Sequence, residues 1–210
     1  MNKTLAFYIS LSILLPVITG IVRFGKIQQS YYPLIYLAVG GMITEFISYN
    51  SKNNAVVTNI YVLFEFILYC WQFYNWKNTL RTRKWLYLLI TSFTLLWITE
   101  CIVMNKIGTF DLYYRIAYSF TLVLFAVNQL NYLIINEKHE IIFNSIFILC
   151  SSMIIFYAYK CLMEIFYRYA HNSNIEHSIF SIQIYVNVLF NILLTLVILC
   201  IPKKRTITLR

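Results

Sequence analysis

Charge is scarce in this chain. Asp, Glu, Lys and Arg together make up 12% of its 210 residues, where soluble globular domains carry about 25%. That deficit argues against an ordinary water-soluble domain. Glycine and proline are also rare, at 5 and 3 residues. No GxxxG helix-packing motif occurs, and Gly40–Gly41 is the single site suited to close helix approach. Inverted-repeat transporters pair helices broken by Gly or Pro, whereas here only Pro16 interrupts an apolar run.

The familiar chemical signatures are missing as well. There is no GxSxG, HExxH, P-loop or GxGxxG, so nothing points to a serine hydrolase, a zinc protease or a nucleotide-phosphate cradle. The last apolar segment has no lysine to hold a retinal Schiff base, and no pair of aspartates sits mid-membrane as in an aspartic intramembrane protease. The net charge of +9 is not joined to a soluble basic domain that could hold a duplex, so no nucleic acid is expected as a partner. The five cysteines form no CxxC pair and sit in apolar stretches, where a thiol behaves as a small hydrophobe. Cys101 and Cys161 fall toward the same end of their helices, so a disulfide between them is open. His171 and His177 flank Glu176, but the spacing is generic. No metal and no cofactor is assigned, and no catalytic residue.

What the chain does hold is apolar sequence. It is 60% hydrophobic, and windows long enough to cross a hydrocarbon core of about 30 Å recur along it. They lie near residues 5–22, 32–49, 57–76, 85–104, 112–135, 141–168 and 178–201. Lipid leaves loose backbone groups unsatisfied, so spans are helices or a closed barrel. Runs this long are not the alternating strands of about ten residues that build a barrel. The expected fold is therefore all-α, a polytopic transmembrane bundle of seven helices over residues 1–201, followed by a short basic tail at 202–210. The sixth window is long for one crossing and is expected to tilt or to project a turn near Phe166 to Ala170. The first segment has some likeness to a signal peptide. It lacks an A-x-A site, though, its apolar run is long, and Pro16 reads as a kink in a retained helix. Its cleavage would leave six helices in the same orientation.

Lys and Arg stay preferentially on the cytoplasmic side. One set of connections carries eleven of them, among them the clusters RTRK at 81–84 and PKKR at 202–205, while the opposite set carries five. The expected topology has the amino terminus outside and the carboxyl terminus in the cytoplasm. The bilayer itself is the first partner, and the basic clusters suit anionic headgroups or a protein partner.

The polar residues inside the windows carry the functional reading. With a rise of about 1.5 Å per residue, Glu45 lies roughly 5 Å to the outer side of the midplane, Glu65 within about 3 Å of it, and Glu100 about 7 Å outward. Lys160 and Glu164, one turn apart, can pair on one face, and they lie with Asp111 and Arg115 near the outer surface. A carboxylate facing lipid costs several kcal/mol, so such acids turn inward. In the seventh window Gln183, Asn187, Asn191 and Thr195 recur every fourth residue. They drift only about 40° per step and form one stripe that should face the other helices. Gly41, Thr44, Glu45 and Ser48 repeat the arrangement on the second helix, Thr58, Tyr61, Glu65 and Gln72 on the third, and Tyr114, Tyr118, Thr121 and Asn128 on the fifth.

These features imply a small integral inner-membrane protein, multi-pass in the cell membrane (the cytoplasmic membrane if bacterial). It would bind an unknown small ligand or ion in an outward-facing polar cavity, as a sensor or a transporter. Glu45 and Glu65 would bind or relay charge, Glu100 and Lys160 would set the field, and Gln183 with Asn187 would offer hydrogen bonds. The rival reading is an accessory or regulatory membrane subunit working through its basic cytoplasmic loops. A third is an intramembrane enzyme acting on a lipid or isoprenoid, with the acids as general acid and base.

Overall fold

Several charged side chains are buried in this protein, while many large aliphatic ones outside its apolar core face outward. The computed structural model describes residues 3–76, 82–110, 113–136, 141, 143–169 and 173–202, without the side chains of 3–6, 167–169 and 173–181. Among them, Glu65, Glu100, Arg115, Lys160 and Glu164 are buried, whereas Ile18, Leu95, Ile134, Ile135 and Leu199 are more than half exposed. An apolar exterior of this extent requires an apolar surrounding, which fits residence in a bilayer.

The described residues form seven helical runs, matching the seven apolar windows. Helix α1 occupies residues 3–23, with a tighter 3₁₀ stretch at Leu11–Ile13 just before Pro16. Then follow α2 (Tyr32–Asn50), α3 (Asn54–Trp76), α4 (Arg83–Val103), α5 (Tyr113–Asn136), α6 (Ser145–Tyr169) and α7 (Ser173–Cys200). Five of them, α3 to α7, contain stretches long and apolar enough to cross a membrane. The apolar part of α1, Phe7–Arg23, is shorter, and in α2 the small and polar row Gly40, Gly41, Thr44, Glu45 and Ser48 dilutes the hydrophobic run.

The ends of the helices have local causes. The sixth window is shorter than its apolar composition suggests. Asn144 accepts the backbone N–H of Ile146 through its side-chain oxygen at 2.8 Å, a capping arrangement that starts α6 at Ser145. Helix α4 ends in a π-helical turn over Thr99–Val103, and Asn105 at φ 53° breaks it off, a backbone region that asparagine tolerates better than most residues.

The helices close into a ring. Each of α1, α2 and α3 packs on the next, α5 packs on α6 and α6 on α7, and α7 returns against α1. Helix α4 sits at the edge on α3 and α5 and is the least buried of the five long apolar helices. The closure between α1 and α7 adds polar contacts to buried aliphatics such as Val17 and Ile198. The Arg23 guanidinium donates to the carbonyls of Ile198 (2.6 Å), Leu199 and Ile201 (3.0 Å), satisfying carbonyls that the end of α7 leaves without intrahelical partners. Higher up, the Asn191 side-chain amide donates to Ser12 Oγ at 2.9 Å. Where α1, α2 and α3 meet, a Cβ on Gly41 would stand 2.7 Å from Ile13 Cδ1 and 3.1 Å from the Tyr61 hydroxyl, so the glycine permits this close approach. Cys101 and Cys161 are both free thiols, so the disulfide considered from sequence is not formed.

Candidate functional site

Helices α1, α2, α3, α6 and α7, with the start of α5, enclose a cavity of about 410 Å³, a size typical of small-molecule sites, which span about 300–1,000 Å³. Phe7, Tyr49, Asn54 and Phe110 line one end of it, which places it in the half of the bundle opposite the helix ends that carry Arg23, Arg83 and Lys84. Five of the six residues selected from sequence line it: Glu45, Glu65, Lys160, Gln183 and Asn187. The seventh-helix stripe faces inward as its four-residue spacing predicts, and Asn191 joins the lining too. Thr195 turns its hydroxyl back to the Asn191 carbonyl at 2.8 Å. The second-helix row Gly41, Thr44, Glu45 and Ser48 forms the facing wall.

Glu65 stands at the buried end. Its carboxylate accepts hydrogen bonds from the hydroxyls of Tyr157 (2.8 Å) and Tyr118 (3.0 Å) and pairs with Lys160 Nζ at 3.4 Å. Lys160 also lies over three aromatic rings, 5.2 Å from the centroid of Tyr118 and 5.6 Å from those of Phe156 and Tyr157. The negative face of each ring attracts an ammonium. Three donors converge on one carboxylate, so the charge is held by defined partners rather than by bulk water.

A second ion pair forms the neighbouring wall. Arg115 contacts a single oxygen of Glu164 through Nε (2.6 Å) and Nη2 (2.5 Å). Its Nη1 donates to Asn59 Oδ1 at 3.1 Å. The Asn59 amide in turn donates to the carbonyls of Ile107 (2.9 Å) and Thr109 (2.8 Å), and the Trp97 indole donates to the Asn59 carbonyl at 2.9 Å. One arginine thus ties α5, α6, α3 and the loop before α5 together.

These contacts correct the sequence reading in three places. Lys160 and Glu164 do not pair with each other; each turns to a different helix, Lys160 to Glu65 on α3 and Glu164 to Arg115 on α5. Arg115, at the start of α5 as its depth suggests, is nonetheless only 4% exposed. Glu100 does not line the cavity. Its two carboxylate oxygens accept the backbone N–H groups of Tyr113 (2.9 Å) and Tyr114 (2.7 Å), so it caps the start of α5, where orphan donors and the helix dipole favour an anion. On α5, Tyr114 and Tyr118 are buried as the heptad suggests, but Asn128 is exposed and Gln129 beside it is fully buried.

Asn59, Ser119 and Gln129 are among the polar core residues that sequence reasoning missed, as was the burial of Arg115. Arg115 carried one usable sign: it stands in the first turn of a long apolar helix, where a charge must find a partner. Of the remaining readings, Asp111, Lys77 to Arg81, Glu137 to Glu140, His171 and the tail from Lys203 lie outside the described residues, as do the side chains of Arg168, Glu176 and His177.

Chemically, the described lining offers three carboxyl groups, two cations already engaged by two of them, and a row of amides. The Gln183 side-chain oxygen is buried and finds no hydrogen-bond donor among the described residues. No protein-family model, curated protein or solved structure matches the chain.

Proposed function

We propose that this chain is a multi-pass protein of the cell membrane that binds a small ligand or ion in this cavity and senses or transports it. The observation that carries the reading is the convergence of Glu45, Glu65, Lys160, Gln183 and Asn187 on one chamber. Those residues come from four helices, and an acid embedded among apolar helices is a costly way merely to hold them together. The excess of Lys and Arg at the opposite end supports an orientation with the amino terminus and the cavity mouth outside.

The test is thiol accessibility. In a chain whose five native cysteines are replaced, Asn187→Cys should react with a membrane-impermeant thiol reagent added to intact cells. Leu95→Cys, which lies on the apolar exterior, should not react. Labelling of Asn187→Cys only from the cytoplasmic face would overturn the orientation, and no labelling from either face would overturn a solvent-accessible chamber. The rival reading as an accessory subunit rests on the basic clusters. Of these Arg83 is exposed, with Nε donating to the Tyr74 hydroxyl at 3.1 Å.

A further inference from the structure

We infer that the ligand of this cavity is an organic monocation, a protonated amine or quaternary ammonium with an apolar body, and that it competes with Lys160 for an aromatic cage. The inference rests on the binding function proposed above and names its ligand class.

The cage already has an occupant in the chain's own Lys160. Tyr118, Phe156 and Tyr157 surround the Lys160 ammonium at 5.2–5.6 Å from their ring centroids, and Glu65 completes the shell at 3.4 Å. Aromatic faces closed by a carboxylate are the chemistry that recognises ammonium groups. The 3.4 Å separation is longer than a charge-assisted hydrogen bond of about 2.7–2.9 Å, so the lysine is held by charge and ring faces rather than by a tight directional contact. A methylated ammonium, which needs no hydrogen bond, would enter from the chamber side, where Glu65, Phe156 and Lys160 line the cavity, with the fully buried Tyr118 and Tyr157 behind them.

The rest of the lining agrees with a cationic guest. Arg115 is committed to Glu164 and Asn59, and Lys160 to Glu65, so neither cation is free to receive an anion. The wall also carries the Glu45 carboxylate and the buried Gln183 oxygen that no described donor reaches, beside neutral hydroxyls and amides such as Thr44 and Asn187. Phe7, Tyr49, Phe110 and Phe190 supply apolar surface for the body of the molecule. An anionic guest would meet three carboxylates and no uncommitted cation among the described residues.

Choline and its neutral carbon isostere, 3,3-dimethyl-1-butanol, form a matched pair of probes for the full chain in lipid nanodiscs. In calorimetry, K160M should bind choline roughly tenfold or more tightly than the wild type, since the flexible methionine removes the competing ammonium and a desolvated cation–ring contact is worth about that factor. The isostere should gain nothing, and K160M combined with E65Q should lose the choline gain while remaining charge-matched and folded. The wild type gives a readout without substitution. Saturating choline should raise acylation of Lys160 by an amine-reactive reagent, scored by mass spectrometry, and the isostere should leave it unchanged.

Equal binding of both probes in K160M, no binding of choline to any form, or unchanged Lys160 acylation would each overturn the inference. Binding of benzoate to the wild type that disappears in K160M would overturn it too, while leaving a ligand-binding chamber in place. Thiol accessibility of Asn187→Cys decides the chamber separately.

Discussion

Glu65 is the residue on which the buried end of the chamber depends. Two tyrosine hydroxyls and one ammonium meet on its carboxylate, and Lys160 has no other carboxylate partner among the described contacts. Removing one member of a buried pair strands the other, at a cost of about 3–5 kcal/mol, whereas replacing both by neutral groups of similar size is much cheaper. Glu65→Ala should therefore destabilise the solubilised protein by about 3–5 kcal/mol, read from chemical unfolding in micelles. Glu65→Gln together with Lys160→Met should recover more than half of that loss. If the double variant is as unstable as the two single effects added together, the residues are not coupled and the pair is incidental. This much was half legible in the sequence. An acid at mid-depth in an apolar run must turn inward, and Glu65 does. Its partner was not legible, because Lys160 had a closer candidate one turn away in Glu164. Spacing along a single helix reports which residues share a face but not which neighbouring helix lies opposite.

At the scale of elements, the helices were legible and their ends were not. Length and apolarity alone place all seven helical runs within a few residues, since lipid leaves the backbone no alternative. Depth along α4, however, says nothing of which helices flank it. No described residue of α4 lines the chamber, and Glu100, in the π turn over Thr99–Val103, meets the start of α5 instead. There it serves an element rather than a ligand. Glu100→Ala should cost about 1–2 kcal/mol, the usual loss when a cap is removed. Glu100→Gln, which keeps one acceptor oxygen but loses the charge that favours the helix start, should cost less. Amide hydrogen exchange at Tyr113 and Tyr114 would register both. Protection there that is unchanged in Glu100→Ala would show that the carboxylate is not their acceptor. Ligand affinity should stay within about twofold of wild type in Glu100→Gln, because the side chain lies outside the lining.

For the molecule as a whole, the sequence gives polarity of arrangement without the order of neighbours. The inward stripe of α7 could be read from its four-residue spacing, but not that α7 would meet α1, the helix farthest from it in the chain. Two polar contacts make that closure: Arg23 on the last carbonyls of α7, and Asn191 on Ser12. Asn191 lines the chamber, and these hydrogen bonds run beside buried aliphatics such as Val17 on α1 and Leu194 and Ile198 on α7. In a bilayer such contacts contribute only about 0.6–2 kcal/mol each, enough to select a neighbour but not to fix it against all motion. A Ser12→Cys, Asn191→Cys pair, in a chain without native cysteines, should accordingly be joined within one molecule by a short bifunctional thiol reagent. Cleavage in the connection between α3 and α4 would then leave the two fragments linked on a denaturing gel. Fragments that separate, or links formed only between two molecules, would mean that the ring does not close through α1 and α7, and the chamber would lose one of its walls.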